Sequence, residues 1–296
     1  MNSEKRVVGA VLAAGLGTRL RPMTEHMPKP LVPVAGRPLI EYALDALQTA
    51  GIAEIGVNAY HHGDVIPQLL SHRSERISYV FEEVLRGTGG GLKGIGQTLP
   101  RGTMVAINGD ALFDFPIRPL LERHWASGCM ATLILRRVPA GSPFGRVGIA
   151  DDDRIHVISE VRGPEADAHE LNYGAFTGVQ IFDTSLLDLV PDEPCDILRT
   201  AHRRLLETGV TVRGDFSPDQ GVWLDVGTPD RYLDAHRAFM DGRLDAHHLP
   251  AADEQGRRIS SEAVIHPTVN IEGPCVIMAG ASIESGASIG PGTFVG

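Results

Sequence analysis

The sequence predicts an α/β domain on a mostly parallel sheet, followed by a short parallel β-helix. Three observations predict it. From residue 7 to about 240, short β-rich runs alternate with amphipathic helical stretches. A glycine-rich loop follows directly on the first apolar run. From residue 259 a branched apolar residue returns every six positions.

Residues 7–14, VVGAVLAA, are apolar throughout and run into glycine, the pattern of a buried strand. Residues 38–50 place Leu39, Ile40, Ala43, Leu44 and Leu47 on one helical face, with Pro38 at the start and Gly51 as the stop. Further strands are expected at 54–59, 76–81, 103–108, 130–136 and 178–182. Asp151, Asp152 and Asp153, between VGIA and RIHVI, are expected to form a hairpin turn. Thr228 and Pro229 are a cap and a first helical position for a helix over 229–241. The polar stretch that follows reads as a linker.

In the tail, Ile259, Ile265, Ile271, Ile277, Ile283, Ile289 and Val295 keep a six-residue register. Small or medium residues (Ala263, Val269, Cys275, Ala281, Ala287, Thr293) stand four places after each of the first six. A helix repeats at about 3.6 residues and a strand at 2, so neither alone explains this period. Hexapeptides wound into a parallel β-helix do, and about two coils fit in the length. The expected division is a domain over 1–242, a linker over 243–258 and a hexapeptide tail over 259–296.

Composition narrows the function. The 27 Lys and Arg stand against 37 Asp and Glu, a net charge of −10, which disfavours a nucleic-acid partner. No apolar run approaches the roughly 20 residues of a membrane span, and the N-terminal run is too short for a secretory signal, so a cytoplasmic protein is expected. Cys129, Cys195 and Cys275 are far apart and read as free thiols. The pairs His61-His62 and His247-His248 have no third ligand at metal-binding spacing and read as surface or structural residues. An acidic protein that handles phosphates must concentrate its few cations, or recruit metal ions, at one place.

Residues 12–22, LAAGLGTRLRP, have the means to do so. Gly15 and Gly17 allow a sharp turn whose N–H groups approach an anion, and Arg19 adds a planar positive charge. Leu20 breaks the dinucleotide fingerprint, and no P-loop spacing is present. A plain strand-to-helix turn is the alternative. Lys29 lies between Pro28 and Pro30, a stiff mounting for a lysine that must meet a phosphate, though a solvated loop lysine has the same local look. Asp110 ends the strand-like run MVAINGD, where ligands of open α/β sheets bind. A turn or cap aspartate is the ordinary alternative there and at Asp225.

GLGTRLRP followed by PKPLVPVAGRPLIEYAL resembles the signature of the sugar-1-phosphate nucleotidyltransferases. The resemblance continues through GTGGG (87–91), NGD (108–110), GAFTG (174–178) and WLDVGTP (223–229), about four fifths of the chain in order. It implies a Rossmann-like nucleotidyltransferase domain with a mostly parallel sheet, then a short left-handed parallel β-helix. The implied reaction joins a nucleoside triphosphate to a sugar 1-phosphate and releases pyrophosphate. The sugar-phosphate oxygen is already an anion, so positioning and charge neutralisation do the work. The GTGGG form is more similar to the guanylyl and muramate uridylyl branches, which implies GTP with mannose 1-phosphate first and UTP second. A non-catalytic sugar-nucleotide-binding regulator is the reading from another class, and it predicts loss of Arg19, Lys29 or the aspartates, all of which are present.

The same resemblance implies the residue roles. Asp110 and Asp225 would hold Mg²⁺, whose preference is for hard oxygens. The loop 13–19, with Ala13, Ala14, Gly15, Gly17 and Thr18, would lie on the triphosphate and Arg19 on the departing pyrophosphate, and Leu12 would belong to the nucleotide site. Lys29 would hold the α-phosphate or the sugar phosphate. Gly87, Thr88 and Gly89 would let the base approach the backbone, and Asn108 and Gly109 would complete the nucleotide site. Gly148, Glu160, Thr177 and Gly178 would meet the sugar. Many members follow that glutamate with lysine, whereas residue 161 here is Val, which leaves Arg162 as the candidate cation. The open end of a β-helix is an aggregation liability, so a homo-oligomer is expected.

Overall fold

The computed structural model describes residues 5–138, 146–217 and 220–296. Strand β1 (Val7–Leu12) is followed by a short 3₁₀ turn, Thr18–Leu20, and a second, Lys29–Leu31. A small hairpin, β2 (Pro33–Val34) and β3 (Arg37–Pro38), leads into helix α1 (Leu39–Thr49). Then come β4 (Glu54–Ala59), the single-turn α2 (Ile66–Leu69), β5 (Arg76–Phe81), α3 (Gly87–Thr98) and β6 (Thr103–Asn108). The next elements are β7 (Ala111–Phe113), α4 (Ile117–Ser127), β8 (Ala131–Arg136), β9 (Arg146–Ile149), β10 (Ile155–Ile158) and β11 (Val161–Arg162). Strand β12 (Asn172–Asp183), α5 (Arg203–Glu207), β13 (Val212–Asp215), β14 (Trp223–Asp225) and α6 (Pro229–Met240) complete this part.

The central sheet is mixed and has the order β11-β10-β9-β12-β6-β1-β4-β5, with β8 and β13 joined through β12. Around β1 the pairs are parallel, in the register Leu12↔Asn108 and Leu12↔Asn58. Antiparallel pairs enter through β12, which crosses beside β6, β8 and β9. Strand β1 has β4 on one side and β6 on the other, so the chain order reverses there, the usual place for a ligand crevice. Two apolar layers cover the faces. One packs α1 and α4 through Leu44, Leu47 and Leu121, the other packs α3 through Leu92 and Ile95.

Several expectations shift in detail. The first strand stops at Leu12 rather than running to residue 14, because the Ala13 amide turns to the Asn58 side chain. The strand expected at 178–182 spans Asn172–Asp183, with a register break between Phe176 and Gln180. The segment beginning GTGGG is the first turn of a helix, despite glycine's poor helix propensity. Its glycines are required by close neighbours: a Cβ at Gly91 would lie 2.5 Å from Asn58 Nδ2. The stretch expected as a linker is packed, with Leu244 and Leu249 buried beside α6.

The C-terminal strands are β15 (Arg257–Ile259), β16 (Val264–Ile265), β17 (Asn270–Ile271), β18 (Cys275–Ile277), β19 (Ser282–Ile283), β20 (Ser288–Ile289) and β21 (Phe294–Val295). They pair in parallel with partners 18 residues on, as Ile259↔Ile277, Ile265↔Ile283, Ile271↔Ile289 and Ile277↔Val295. The six-residue register therefore stacks like on like, and its apolar positions form a core of their own.

Candidate active site

The carboxyl ends of β1, β4 and β6 bring Leu12, Asn58 and Asn108 side by side. A cleft opens over them, lined also by Ala14, Gly15, Lys29, Pro30, Leu85, Gly87, Thr88 and Asp110. The glycine loop is anchored at both ends. Ala13 N donates to Asn58 Oδ1 at 2.7 Å, and Thr24 Oγ1 donates to Gly17 O at 2.8 Å. Gly17 has φ 61°, and a Cβ there would sit 2.9 Å from Lys29 Cβ, so glycine is required for the loop to lie against the lysine segment. A Cβ at Gly15 would meet nothing within 4 Å. The backbone there faces open space.

Gly109 lets the chain turn tightly out of β6, with its N–H donating to Leu12 O at 2.8 Å. That turn places Asp110 at the start of the β7–β14 ribbon, in which Asp225 pairs with Ala111 and Val226 N donates to Asp110 O at 3.0 Å. Two carboxylates 115 positions apart in sequence are thus held at the same end of one two-stranded ribbon. Lys29, almost fully buried, forms an ion pair with Asp110. The Asp225 carboxyl is held above the usual carboxylate range by burial and then by the Asp110 charge, while Lys29, Arg19 and Arg231 pull it down. Arg19, exposed on its 3₁₀ turn, reaches the same place: a Cβ at Gly227 would lie 3.1 Å from Arg19 Nη2 and 3.3 Å from the Asp225 oxygens.

The residues implied for the base are positioned, for a reason the sequence did not disclose. Gly87 has φ 69°, and a Cβ there would lie 2.5 Å from Cys195 O; one on Gly89 would lie 2.6 Å from Cys195 Sγ. Close packing of the 195–197 segment therefore accounts for both glycines. Thr88 Oγ1 accepts from Ile197 N at 2.9 Å and donates to Asp196 Oδ2 at 3.1 Å.

The sugar set is brought together only in part. Gly178, at φ 83°, packs on Asn108, where a Cβ would lie 2.8 Å from Nδ2, so it adjoins the cleft. The Thr177 side chain is turned into the fold. It is buried, and its hydroxyl donates to Ile134 O at 2.9 Å within the irregular part of β12. Gly148 lies on β9 opposite Tyr173, where a Cβ would meet the ring at 2.9 Å. Glu160, in the exposed turn between β10 and β11, and Arg162, paired with Asp167, do not line the cleft.

Sequence reasoning missed Asn58 and Glu82. Both are buried; Asn58 Nδ2 donates to Glu82 Oε1 at 2.7 Å, and Arg86 N donates to Glu82 Oε2 at 2.8 Å. This chain of bonds ties the glycine loop to the start of α3. An amide and a carboxylate at the ends of otherwise apolar strands were the available signal.

A parallel-sheet crevice with a glycine loop, two cations and two converging carboxylates defines a phosphate-handling α/β protein. The chain belongs to the nucleotidyl transferase family, whose model matches residues 8–242. It is 29% identical to mannose-1-phosphate guanylyltransferase of Mycobacterium tuberculosis, over 97% of this chain and 78% of that protein. It is also 29% identical to UTP–glucose-1-phosphate uridylyltransferase of Synechocystis, over 94% of this chain and 76% of that one. Among solved structures, a Bacillus anthracis protein described as a glucose-1-phosphate thymidylyltransferase, in complex with sucrose, superposes with a TM-score of 0.67 at 25% identity, covering 78% of this chain and 94% of that one.

Proposed function

We propose that this chain transfers a nucleoside monophosphate from a triphosphate to a sugar 1-phosphate, giving a nucleoside-diphosphate sugar and pyrophosphate. GTP with mannose 1-phosphate is the favoured pair, and UTP with a hexose or amino-sugar 1-phosphate the second, in keeping with the guanylyl and uridylyl relatives. The observation that carries the reading is the convergence of Lys29, Arg19, Asp110 and Asp225 beside the glycine loop.

Each residue then has a task. The open backbone at Gly15 receives the triphosphate, and Arg19 takes the charge that develops on pyrophosphate. Lys29 leaves Asp110 for the phosphate, where its charge offsets repulsion between two anionic reactants. Asp110 and Asp225 are a hard-oxygen pair whose mutual repulsion a divalent cation would relieve, so the donor set fits Mg²⁺. Bound there, the ion supplies charge neutralisation and polarisation of a phosphoryl oxygen. Among the described residues no third His, Cys, Asp or Glu joins the pair, and water and phosphate oxygens are the usual remaining ligands of this ion. Gly178, beside Asn108, borders the sugar end, with Gly148, Glu160 and Arg162 further along the sheet.

The C-terminal strands are read as a left-handed parallel β-helix of about two coils, with its open end buried in a homo-oligomer. No helix among the described residues is long and apolar enough to cross a membrane, and a cytoplasmic location is part of the proposal. The test is a pyrophosphate-release screen of four triphosphates against a panel of sugar 1-phosphates with Mg²⁺. Release from the GTP and mannose 1-phosphate pair is expected, and no release from any pair would overturn the reading.

A further inference from the structure

The segment that carries Lys29 is held from outside. From the 3₁₀ turn Lys29–Leu31 the chain enters the β2–β3 hairpin, whose tip, Ala35-Gly36, has φ 49° and 79°. A non-glycine residue in the left-handed region is strained and persists where its surroundings hold it. Here four parts of the molecule do so. Tyr42 Oη of α1 donates to Val34 O at 2.7 Å, and Tyr232 Oη of α6 donates to Pro33 O at 2.9 Å. His248 Nε2, from the stretch after α6, faces Ala35 O at 3.0 Å. A carbonyl only accepts, so that nitrogen carries the proton. Met278, just after β18 in the C-terminal repeats, packs on the tip so closely that a Cβ on Gly36 would lie 2.9 Å from its Cε.

Between tip and lysine there is little slack. Pro30 and Pro33 stiffen the path, and Leu39 N donates to Val32 O at 3.1 Å, which closes the base of the hairpin. A displacement at Gly36 therefore moves Lys29 rather than being absorbed along the way. An error of about 1 Å in a reacting group costs on the order of 100-fold in rate.

We infer that the C-terminal repeat segment serves catalysis as a brace: Met278 is a positioning residue that, through the β2–β3 hairpin, fixes where Lys29 sits. The inference rests on the role proposed for Lys29, and the test separates the two.

The full-length chain is compared with Met278→Ala, Met278→Leu and Ile265→Ala, the last removing an interior side chain of the repeats away from the hairpin. Met278→Ala is expected to lower kcat about tenfold or more with KM for the triphosphate nearly unchanged, and Met278→Leu to restore it. Ile265→Ala is expected to lower the melting temperature and leave kcat alone. In a Lys29→Ala background, Met278→Ala is expected to cost nothing further. Amide hydrogen exchange over residues 34–39 is expected to speed up in Met278→Ala, a readout that needs no turnover. If the unaltered chain is inactive with every substrate pair, the reaction is wrong and the exchange result still decides the brace. Unchanged exchange in Met278→Ala, an unchanged kcat, an equal kcat loss in Ile265→Ala, or a full further loss in the Lys29→Ala background would each overturn the inference.

Discussion

Lys29 and Asp110 neutralise each other at the mouth of the cleft, and this pairing sets what removing either one does. With Lys29→Met, Asp110 loses its internal counter-ion, so the carboxylate pair should attract Mg²⁺ at least as well as before. The charge that offsets phosphate repulsion is gone, and kcat should fall by about 100- to 1,000-fold. Asp110→Asn should lose both ion and turnover. Calorimetric titration with Mg²⁺ beside steady-state kinetics reads the two effects separately, and normal kcat in Lys29→Met would remove the lysine from the mechanism. Buried histidines make a second residue-scale prediction. Burial pushes His124 down to about 4, His202 to about 3 and His236 to about 4. Their folded pKa values lie below the unfolded value, so the unfolded chain takes up protons first on acidification. The stabilisation is whole above pH about 6.5 and is lost as pH falls through 5 toward 4, by about 2 kcal/mol per histidine at pH 5. Urea midpoints at pH 7.5 and 5 should differ in that direction, and equal midpoints would rule it out. Lys29, Asp110 and Asp225 were visible in the sequence because each stands in a short ordered motif. Asn58 and Glu82 were not, since their bond joins two strand ends 24 residues apart and no local spacing encodes it.

Helix α3 shows what single elements hide. Gly87, Gly89, Gly90, Gly91, Gly94 and Gly96 give it poor intrinsic propensity, at about 1 kcal/mol per glycine relative to alanine. Leu92 and Ile95, both fully buried, compensate by packing on the sheet, and the glycines allow the close approach of Cys195, Asn58 and Val80. That is tertiary information, which is why the sequence alone predicts no helix here. Strand β1 and helix α1 were legible because apolar patterning and caps are local, whereas the register of the parallel strands was not. Two glycines now separate structural from functional need. Gly15→Ala meets no atom and no positive φ, so its melting temperature should match the wild type. KM for the triphosphate should rise about tenfold if that backbone lies on phosphate, the worth of roughly one hydrogen bond to a charged group. Gly87→Ala combines φ 69° with a backbone carbonyl 2.5 Å away and should lose about 1–3 kcal/mol of stability as well as activity. Thermal melts beside KM measurements distinguish them, and a Gly15→Ala protein that is destabilised but kinetically normal would reverse the assignment.

At the scale of the whole molecule the six-residue period announced the C-terminal repeats, but nothing in it announced where they dock. The contact is apolar and mutual: Val276, Met278 and Phe294 share one core with Val34, Leu39, Val226 and Phe239, and Leu244 and Leu249 join it from the stretch between. Polar composition made that stretch read as a linker, because two buried leucines among charged residues carry no period. If this core is one cooperative unit, shortening the chain should damage it in steps. A chain ending at residue 258 keeps Leu244 and Leu249 but uncovers the hairpin and α6. Full burial of an apolar side chain is worth about 1.5–3 kcal/mol, so losing the fully buried Val276 and the half-buried Met278 and Phe294 removes several kcal/mol from a stability that is typically about 5–15. A chain ending at 242 loses two more and should accumulate as insoluble protein. Thermal denaturation and soluble yield, compared across the full chain and both shorter forms, test this. A 258-residue form that melts with the full chain would mean that the repeats are an appendage, and the brace on Lys29 would fall with that result.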